Sequence, residues 1–464
     1  MRDEIIVIGG GLAGTEAALQ IAKRKIKVKL YEMKPVNFSP AHSNENLAEI
    51  VCSNSFKSNN ITNACGLLKE ELRRLGSFLI PIADKVAVPA GQALAVDREK
   101  FAAEVTKLVE ENEYIEVIRE EVEKIPDDAI VIIATGPLTS DKLSKEIIKL
   151  TGDDSLHFYD AAAPIVEKNS IDMNIAFSGD RYDQERALDE DEESWKERIK
   201  DKEGSYINLP MNKEEYENFW NELVNAEVVT LHDFEKREIF EGCMPVEIMA
   251  KRGIDTLRFG PLKPVGFTDP RTGRRPYAVV QLRQDNQEGN LYNIVGFQTN
   301  LKYGEQKRVF SMIPGLQKAE YVKYGVMHRN TYIDSTKLLD NTYNMKKNPK
   351  IFFAGQLTGV EGYVESISSG FISGINSIKV FHYFKFNDMM NDINNGKIAF
   401  KDISILGALA QYVSSPNDKF QPMNANFGIV PKLETDERDK KIKYQKMAER
   451  SLEYIDTLKD KINN

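Results

Sequence analysis

An apolar strand that runs into a glycine-rich turn constrains this chain more than any other feature. Glu4-Ile5-Ile6-Val7-Ile8 leads directly into Gly9-Gly10-Gly11-Leu12-Ala13-Gly14, a G-x-G-x-x-G turn. An amphipathic segment follows (Ala17, Leu19, Ile21, Ala22), and Lys27 to Tyr31 then end on Glu32. In this order the pieces make a βαβ unit. Its glycines allow a tight turn, let the backbone approach a pyrophosphate, and let helix and strand pack closely. The pyrophosphate belongs at the helix N-terminus, where unpaired N–H groups and the helix dipole favour an anion. Glu32 lies close to the spacing at which an acid accepts a hydrogen bond from a ribose hydroxyl. The pattern predicts an α/β Rossmann domain that binds a dinucleotide.

Two later segments narrow the choice of dinucleotide. Ala129 to Ala134 is a continuous apolar run, as expected of a strand buried on both faces, and it ends in Thr135-Gly136-Pro137. Ile351-Phe352-Phe353-Ala354 is a second such run, ending in Gly355-Gln356 and followed by Gly359, Gly362 and a helix-like stretch from Glu365. The trio resembles the two-dinucleotide-binding flavoproteins related to glutathione reductase, and the resemblance implies FAD. In that group the late strand usually ends Gly-Asp, so Gln356 marks a narrower family. Thr135, Gly136, Gly355, Gln356 and Gly362 join Gly9 to Gly14 and Glu32 as expected cofactor residues.

A chain of 464 residues exceeds one ordinary core and suggests two domains or one domain with a large insertion. Residues 155–328 change character, carrying both tryptophans and β-rich stretches such as Tyr277 to Leu282 and Leu291 to Phe297. The expected architecture is an FAD-binding domain in two parts (1–154 and 329–432) around an inserted α+β domain (155–328), with a C-terminal helical tail (433–464). No apolar run reaches the roughly 20 residues that span a bilayer, and the N-terminus enters the first strand at once, which points to a cytoplasmic protein. Three cysteines and five scattered histidines suit neither a disulfide framework nor a metal site.

The net charge of −9 is unevenly spread. Residues 183–203 carry ten acids against five bases, whereas residues 251–283 carry eight bases against Asp255 and Asp269. The bases are Lys251, Arg252, Arg258, Lys263, Arg271, Arg274, Arg275 and Arg283, interleaved with glycines and prolines that indicate structured turns. Such a local excess on an acidic protein suits a phosphate-bearing partner.

Cys52 and Cys243 lie among polar, small and turn-forming residues, in Ala48 to Lys57 and in Phe240 to Glu247, whereas Cys65 opens an apolar helical run and reads as a core residue. These two segments, the flavin fingerprint, Phe259 to Gly266, Gln281 to Asn286, Tyr292 to Phe297, Gly304 to Val309, Met327 to Ile333, Gly355-Gln356 and Gly362-Tyr363-Val364-Glu365 together resemble the folate- and flavin-dependent tRNA uracil-5-methyltransferase family, TrmFO. The likeness runs in order through nearly the whole chain. A wider likeness joins it to MnmG (GidA), which carries a further C-terminal helical domain.

The resemblance implies C5-methylation of the T-loop uridine of tRNA, with methylenetetrahydrofolate as one-carbon donor, FAD as the redox group and NADPH or NADH as its reductant. It implies Cys243 as the nucleophile on uracil C6 and Cys52 as a second catalytic cysteine near the flavin. A thiolate at C6 turns C5 into a nucleophile, and nearby positive charge favours the thiolate. Arg283, His328 and Asn330 are the expected folate residues, and Lys251, Arg252, Arg271, Arg274 and Arg275 the expected RNA contacts. Three rivals remain at this level: the same chemistry on ribosomal RNA, a flavin-dependent NAD(P)H oxidoreductase with a small-molecule substrate, and a catalytically silent flavoprotein that serves as an RNA-binding or assembly factor. Oligomeric state is not legible.

Overall fold

The computed structural model describes residues 2–152, 156–181, 194, 204–229, 244–385, 396–418, 420–434 and 437–463; for 156–160, 328, 329 and 463 it describes the backbone alone. Cys243, Trp195 and, apart from Ser194, the acidic run 183–203 therefore lie outside the described residues.

The opening βαβ unit forms as its pattern requires. Strand Glu4–Ile8 pairs in parallel with Lys27–Glu32 on one side and with Ile130–Ile133 on the other. The late strand Ile351–Phe353 adds in parallel beyond Ile130–Ile133, and Ile115–Arg119 adds beyond Lys27–Glu32. All five strands are parallel, and the runs 5–8, 130–133 and 351–353 are wholly buried, as continuous apolar strands must be when both faces are covered.

One face is covered by two crossed helices, Leu12–Ala22 and Tyr363–Lys385. Small residues bring them together: a Cβ at Gly370 would lie 2.2 Å from the Ala13 carbonyl oxygen, and one at Gly374 2.9 Å from Ala17 Cα. Helix starts follow local chemistry. Asn63, Asp97 and Ser140 each accept a backbone N–H at the head of helices Ala64–Leu75, Arg98–Glu110 and Asp141–Thr151.

The second body is an antiparallel sheet of six strands, ordered Phe177–Ser178, Tyr206–Met211, Ala278–Gln284, Leu291–Ile294, Ile165–Glu167 and Tyr321–Lys323. The first stretch expected at 277–282 thus runs on to Gln284, and the second stops at Ile294, where Gly296 (φ 79°) turns the chain. This body has its own apolar core, drawn from residues 166–319, whereas the core around the parallel sheet draws on residues 5–147 and 332–462. The chain crosses between the bodies in Leu156–Ala161 and Met327–Tyr332, which pair antiparallel.

The tail forms helix Lys440–Asn463, with Met447, Ala448, Leu452, Ile455 and Ile462 buried. It packs on Ala64–Leu75 through the buried carboxylate of Glu71. That group accepts from the N–H groups of Ile405 (2.8 Å) and Leu406 (2.9 Å), at the head of helix Ile405–Ser414, and from Ser451 Oγ in the tail (2.6 Å). Burial pushes the Glu71 carboxyl up to about 7, against the pull of these three donors.

Candidate functional site

A cleft opens at the C-terminal edge of the parallel sheet, with about 1110 Å³ of empty space that runs out into solvent. Gly9 to Ala13, Glu32, Thr135, Gly136, Gly355 and Gln356 all line it. The fingerprint glycines divide the work. Gly9 (φ 106°) passes so close to the next strand that a Cβ would lie 2.5 Å from the Ala134 oxygen, and a Cβ at Gly14 would lie 1.9 Å from the Gly9 oxygen. At Gly11 a Cβ would meet nothing within 4 Å, and no side chain caps the helix that starts there. The uncapped first turn therefore presents backbone N–H groups to open space, a fitting seat for a pyrophosphate. Glu32 accepts from the Gly10 N–H (2.9 Å) and the Lys34 N–H (3.0 Å), which fixes its carboxylate at the cleft wall. The donor set and the glycine cradle fit a dinucleotide.

Two expected cofactor residues stand outside the lining. Gly14 lies beneath the turn as a packing glycine. Gly362 (φ 130°) lets the chain turn into helix Tyr363–Lys385, where a Cβ would strike Glu365 Oε2 at 2.2 Å. Gln356 lines the cleft and donates its amide N–H to Glu361 Oε2.

Cys52 is half-buried at the meeting of the two bodies. The backbone N–H groups of Cys52 and Ser53 both donate to Tyr363 Oη, each at 3.1 Å, and Tyr363 also lines the cleft. Burial, followed by Cys52, pushes the Tyr363 phenol far above its ordinary value, so it stays protonated. The Cys52 thiol faces the Ala161 carbonyl oxygen at 3.5 Å, at the end of the first crossing strand. Arg98 is held here by Asp285 (Nε to Oδ2 3.0 Å) and by the Ile50 carbonyl (3.2 Å). Burial, with the neighbouring Arg98, lowers the Lys323 ammonium. By contrast Cys65 is sealed in the core beside Lys69, and burial pushes its thiol up to about 11.

Sequence reasoning named neither Arg98, Asn54 nor Tyr363 as site residues. Asn54 is buried and ties the bodies together: its Nδ2 donates to the carbonyls of Val96 (3.1 Å) and Gln284 (2.9 Å), and its Oδ1 accepts from Arg283 Nε (2.9 Å). Asn54 and Tyr363 belong to segments that the resemblance singled out, which was the available signal; Arg98 had none beyond its place at a helix start.

The eight bases of 251–283 do not form one surface, which corrects the expectation. Arg283 is buried at the junction, donating to Asn54 and to Ser53 Oγ (2.7 Å). Arg258 lies 3.5 Å over the Tyr277 ring and bonds the Tyr277 carbonyl at 3.0 Å. Lys251, Arg252, Arg271, Arg274 and Arg275 are exposed, although Arg271 is paired with Asp269 at 2.8 Å. Asn330 is buried on the second crossing strand, with no hydrogen-bond partner for its Nδ2 among the described residues. The next residue's N–H donates to the carbonyl of cleft-lining Pro137 (2.8 Å). His328 lies on the same strand, its side chain outside the described residues.

The family model described as glucose inhibited division protein A matches residues 4–383. A relative from Acetivibrio thermocellus, named methylenetetrahydrofolate--tRNA-(uracil-5-)-methyltransferase TrmFO, is 58% identical over 98% of each chain. One of the same name from Fusobacterium nucleatum is 54% identical over 98% of each. Among solved structures, Aquifex aeolicus GidA aligns over 99% of this chain and 73% of its own, with a TM-score of 0.67 at 16% identity, a likeness of fold. With the dinucleotide cleft, the two-body fold and this identity along almost the whole length, the chain belongs to the TrmFO family, within the wider group described as glucose inhibited division protein A.

Proposed function

We propose that this protein methylates C5 of the T-loop uridine in tRNA, taking the one-carbon unit from methylenetetrahydrofolate, with FAD in the cleft and NADPH or NADH as electron source. The observation that carries the reading is the seat of Cys52, fixed through Tyr363 to the wall of the dinucleotide cleft in a chain 58% identical to a relative named for this reaction. FAD supplies the two electrons that turn the transferred methylene into a methyl. The chain supplies the rest. Cys243 adds to uracil C6, so that C5 attacks the methylene carbon and its bond to the folate nitrogen breaks, releasing tetrahydrofolate; Cys52, on the flavin side, takes the C5 proton, and the C6 thiolate then leaves.

Gly9 to Ala13, Glu32, Thr135, Gly136, Gly355 and Gln356 hold the dinucleotide. Asn330, whose buried Nδ2 has no partner among the described residues, is the favoured folate contact, with His328 on the same strand. Arg283 has a second task in joining the bodies. Lys251, Arg252, Arg271, Arg274 and Arg275 face the RNA phosphates. The domain limits 1–154, 155–328, 329–432 and 433–464 and a cytoplasmic location belong to the same reading.

The test follows labelled carbon from methylenetetrahydrofolate, with NADPH and FAD, into unmodified tRNA and into ribosomal RNA. Label is expected as 5-methyluridine in tRNA and is expected to vanish in Cys243→Ala and in Cys52→Ala. Label in ribosomal RNA alone would replace the substrate. NADPH oxidation with no label in either RNA would overturn the methyltransferase reading.

A further inference from the structure

Phe259 is the most exposed large hydrophobic side chain among the described residues, at 81%. An aromatic ring so placed has a solvation cost that packing does not explain, and its setting points to a ligand. Phe259 ends the short helix Thr256–Phe259, and everything beneath it is anchored. Leu257 and Leu262 are fully buried, and the Leu262 and Gly260 N–H groups both donate to the Leu257 carbonyl (2.9 and 3.1 Å). Pro261 packs so tightly on Gly296 that a Cβ there would come within 2.4 Å. Arg258 is pinned to the ring and carbonyl of Tyr277.

That pinning also sets what surrounds the ring. It brings 258–259 against Tyr277, whose chain has just passed through the exposed Arg274 and Arg275. On the other side the chain reaches Phe259 from Lys251 and Arg252, at the end of helix Val246–Lys251, and both are exposed. That helix is itself held by the buried Glu247, which accepts from Thr299 Oγ1 and the Asn300 N–H, each at 2.9 Å. An outward aromatic on a rigid base, flanked by cations on an acidic protein, matches the chemistry of an unstacked nucleotide. Its base stacks on the ring while its phosphates meet the cations.

We propose that Phe259 is a base-stacking contact for the RNA substrate, engaging a nucleotide that stands outside a helical stack. The proposal rests on the reading of the protein as an RNA methyltransferase. The charged residues give strength that falls with salt; Phe259 gives strength that salt does not remove. Because the backbone beneath the ring is anchored before RNA arrives, little backbone freedom is lost on stacking.

The experiment measures binding of unmodified tRNA to the FAD-loaded protein by fluorescence anisotropy across a range of salt, for wild type, Phe259→Ala, Phe259→Trp and the double charge reversal Arg274→Glu with Arg275→Glu. Phe259→Ala is expected to weaken binding roughly ten- to hundredfold with the salt slope unchanged. Phe259→Trp is expected to bind like wild type, and the charge reversal to flatten the slope. Bound flavin and its reduction by NADPH without RNA should be the same in wild type, Phe259→Ala and Phe259→Trp. Unchanged affinity in Phe259→Ala, while wild type still methylates tRNA, would overturn the proposal and leave the function standing. Unchanged RNA affinity with loss of a self-associated species in sedimentation would overturn it in favour of a contact between copies. Absence of methylation by wild type would instead strike the function itself.

Discussion

Two glycines of the fingerprint differ in what an added methyl group would meet, and that difference makes a residue-scale test. At Gly14 the methyl would overlap the Gly9 carbonyl at 1.9 Å, inside the fold. At Gly11 it would enter the open cleft, where the phosphates belong. Gly14→Ala should therefore lower folding stability by about 3 kcal/mol or more, in the manner of an overpacked core. Gly11→Ala should change stability by only about 1 kcal/mol, the usual scale at a helix cap, yet purify with much less flavin. Denaturant titration and the flavin absorbance of the purified proteins check both. An equal loss of stability in the two variants would refute the division of labour. Gly9 and Gly14 were legible because the backbone packs too closely there to leave room for a side chain. Arg98 and Asn54 were not, because hydrogen bonds across 187 and 230 positions leave no mark on local spacing.

At the scale of elements, the pairing of helices Leu12–Ala22 and Tyr363–Lys385 controls the cleft. The Gly370 contact is to the carbonyl of Ala13, in the same turn that faces the phosphates, so anything that separates the helices also moves the anion seat. Gly370→Ala is expected to cost about 1–3 kcal/mol in stability and to reduce flavin retention with it. A loss of stability with full flavin content would show that the first turn is held by other contacts. The strands themselves were easy to foresee, since runs such as Ile130–Ile133 and Ile351–Phe353 are apolar on both faces. Even so, Gly370 and Gly374, which decide how closely the helices approach, gave no sign of their role in a stretch that reads simply as an apolar helix. The basic stretch failed in the opposite sense: adjacency in sequence suggested one surface, but strand Ala278–Gln284 carries Arg283 into the junction, away from Arg274 and Arg275.

At the scale of the molecule, Glu71 joins the tail helix and helix Ile405–Ser414 to the first half of the chain. Its folded value of about 7 lies above the ordinary 4.5, so the folded state binds this proton more tightly than the unfolded one. The group's contribution is therefore fully present below pH 4.5 and is lost as pH rises towards 7 and just beyond, a change of about 3 kcal/mol. Urea titrations at pH 5 and pH 8 should show this fall in wild type and a fall smaller by about that amount in Glu71→Gln. An identical fall in both would place the pH dependence elsewhere. The two bodies have separate apolar cores, and the stitching between them was not visible in the sequence. Asn54 serves three partners from two distant segments, and only the folded chain brings them together.

The discontinuous path of the parallel sheet also bears on how the protein is made. Its strands come from residues 4–8, 27–32, 115–119, 130–133 and 351–353, whereas the core of the second body lies wholly within 166–319. A chain leaving the ribosome from its N-terminus thus completes the inner body while the outer one still lacks an edge strand and the helix that packs on its fingerprint. The last body to close is the one that began first, and a newborn chain has no finished seat for its cofactor until most of its length has been synthesised.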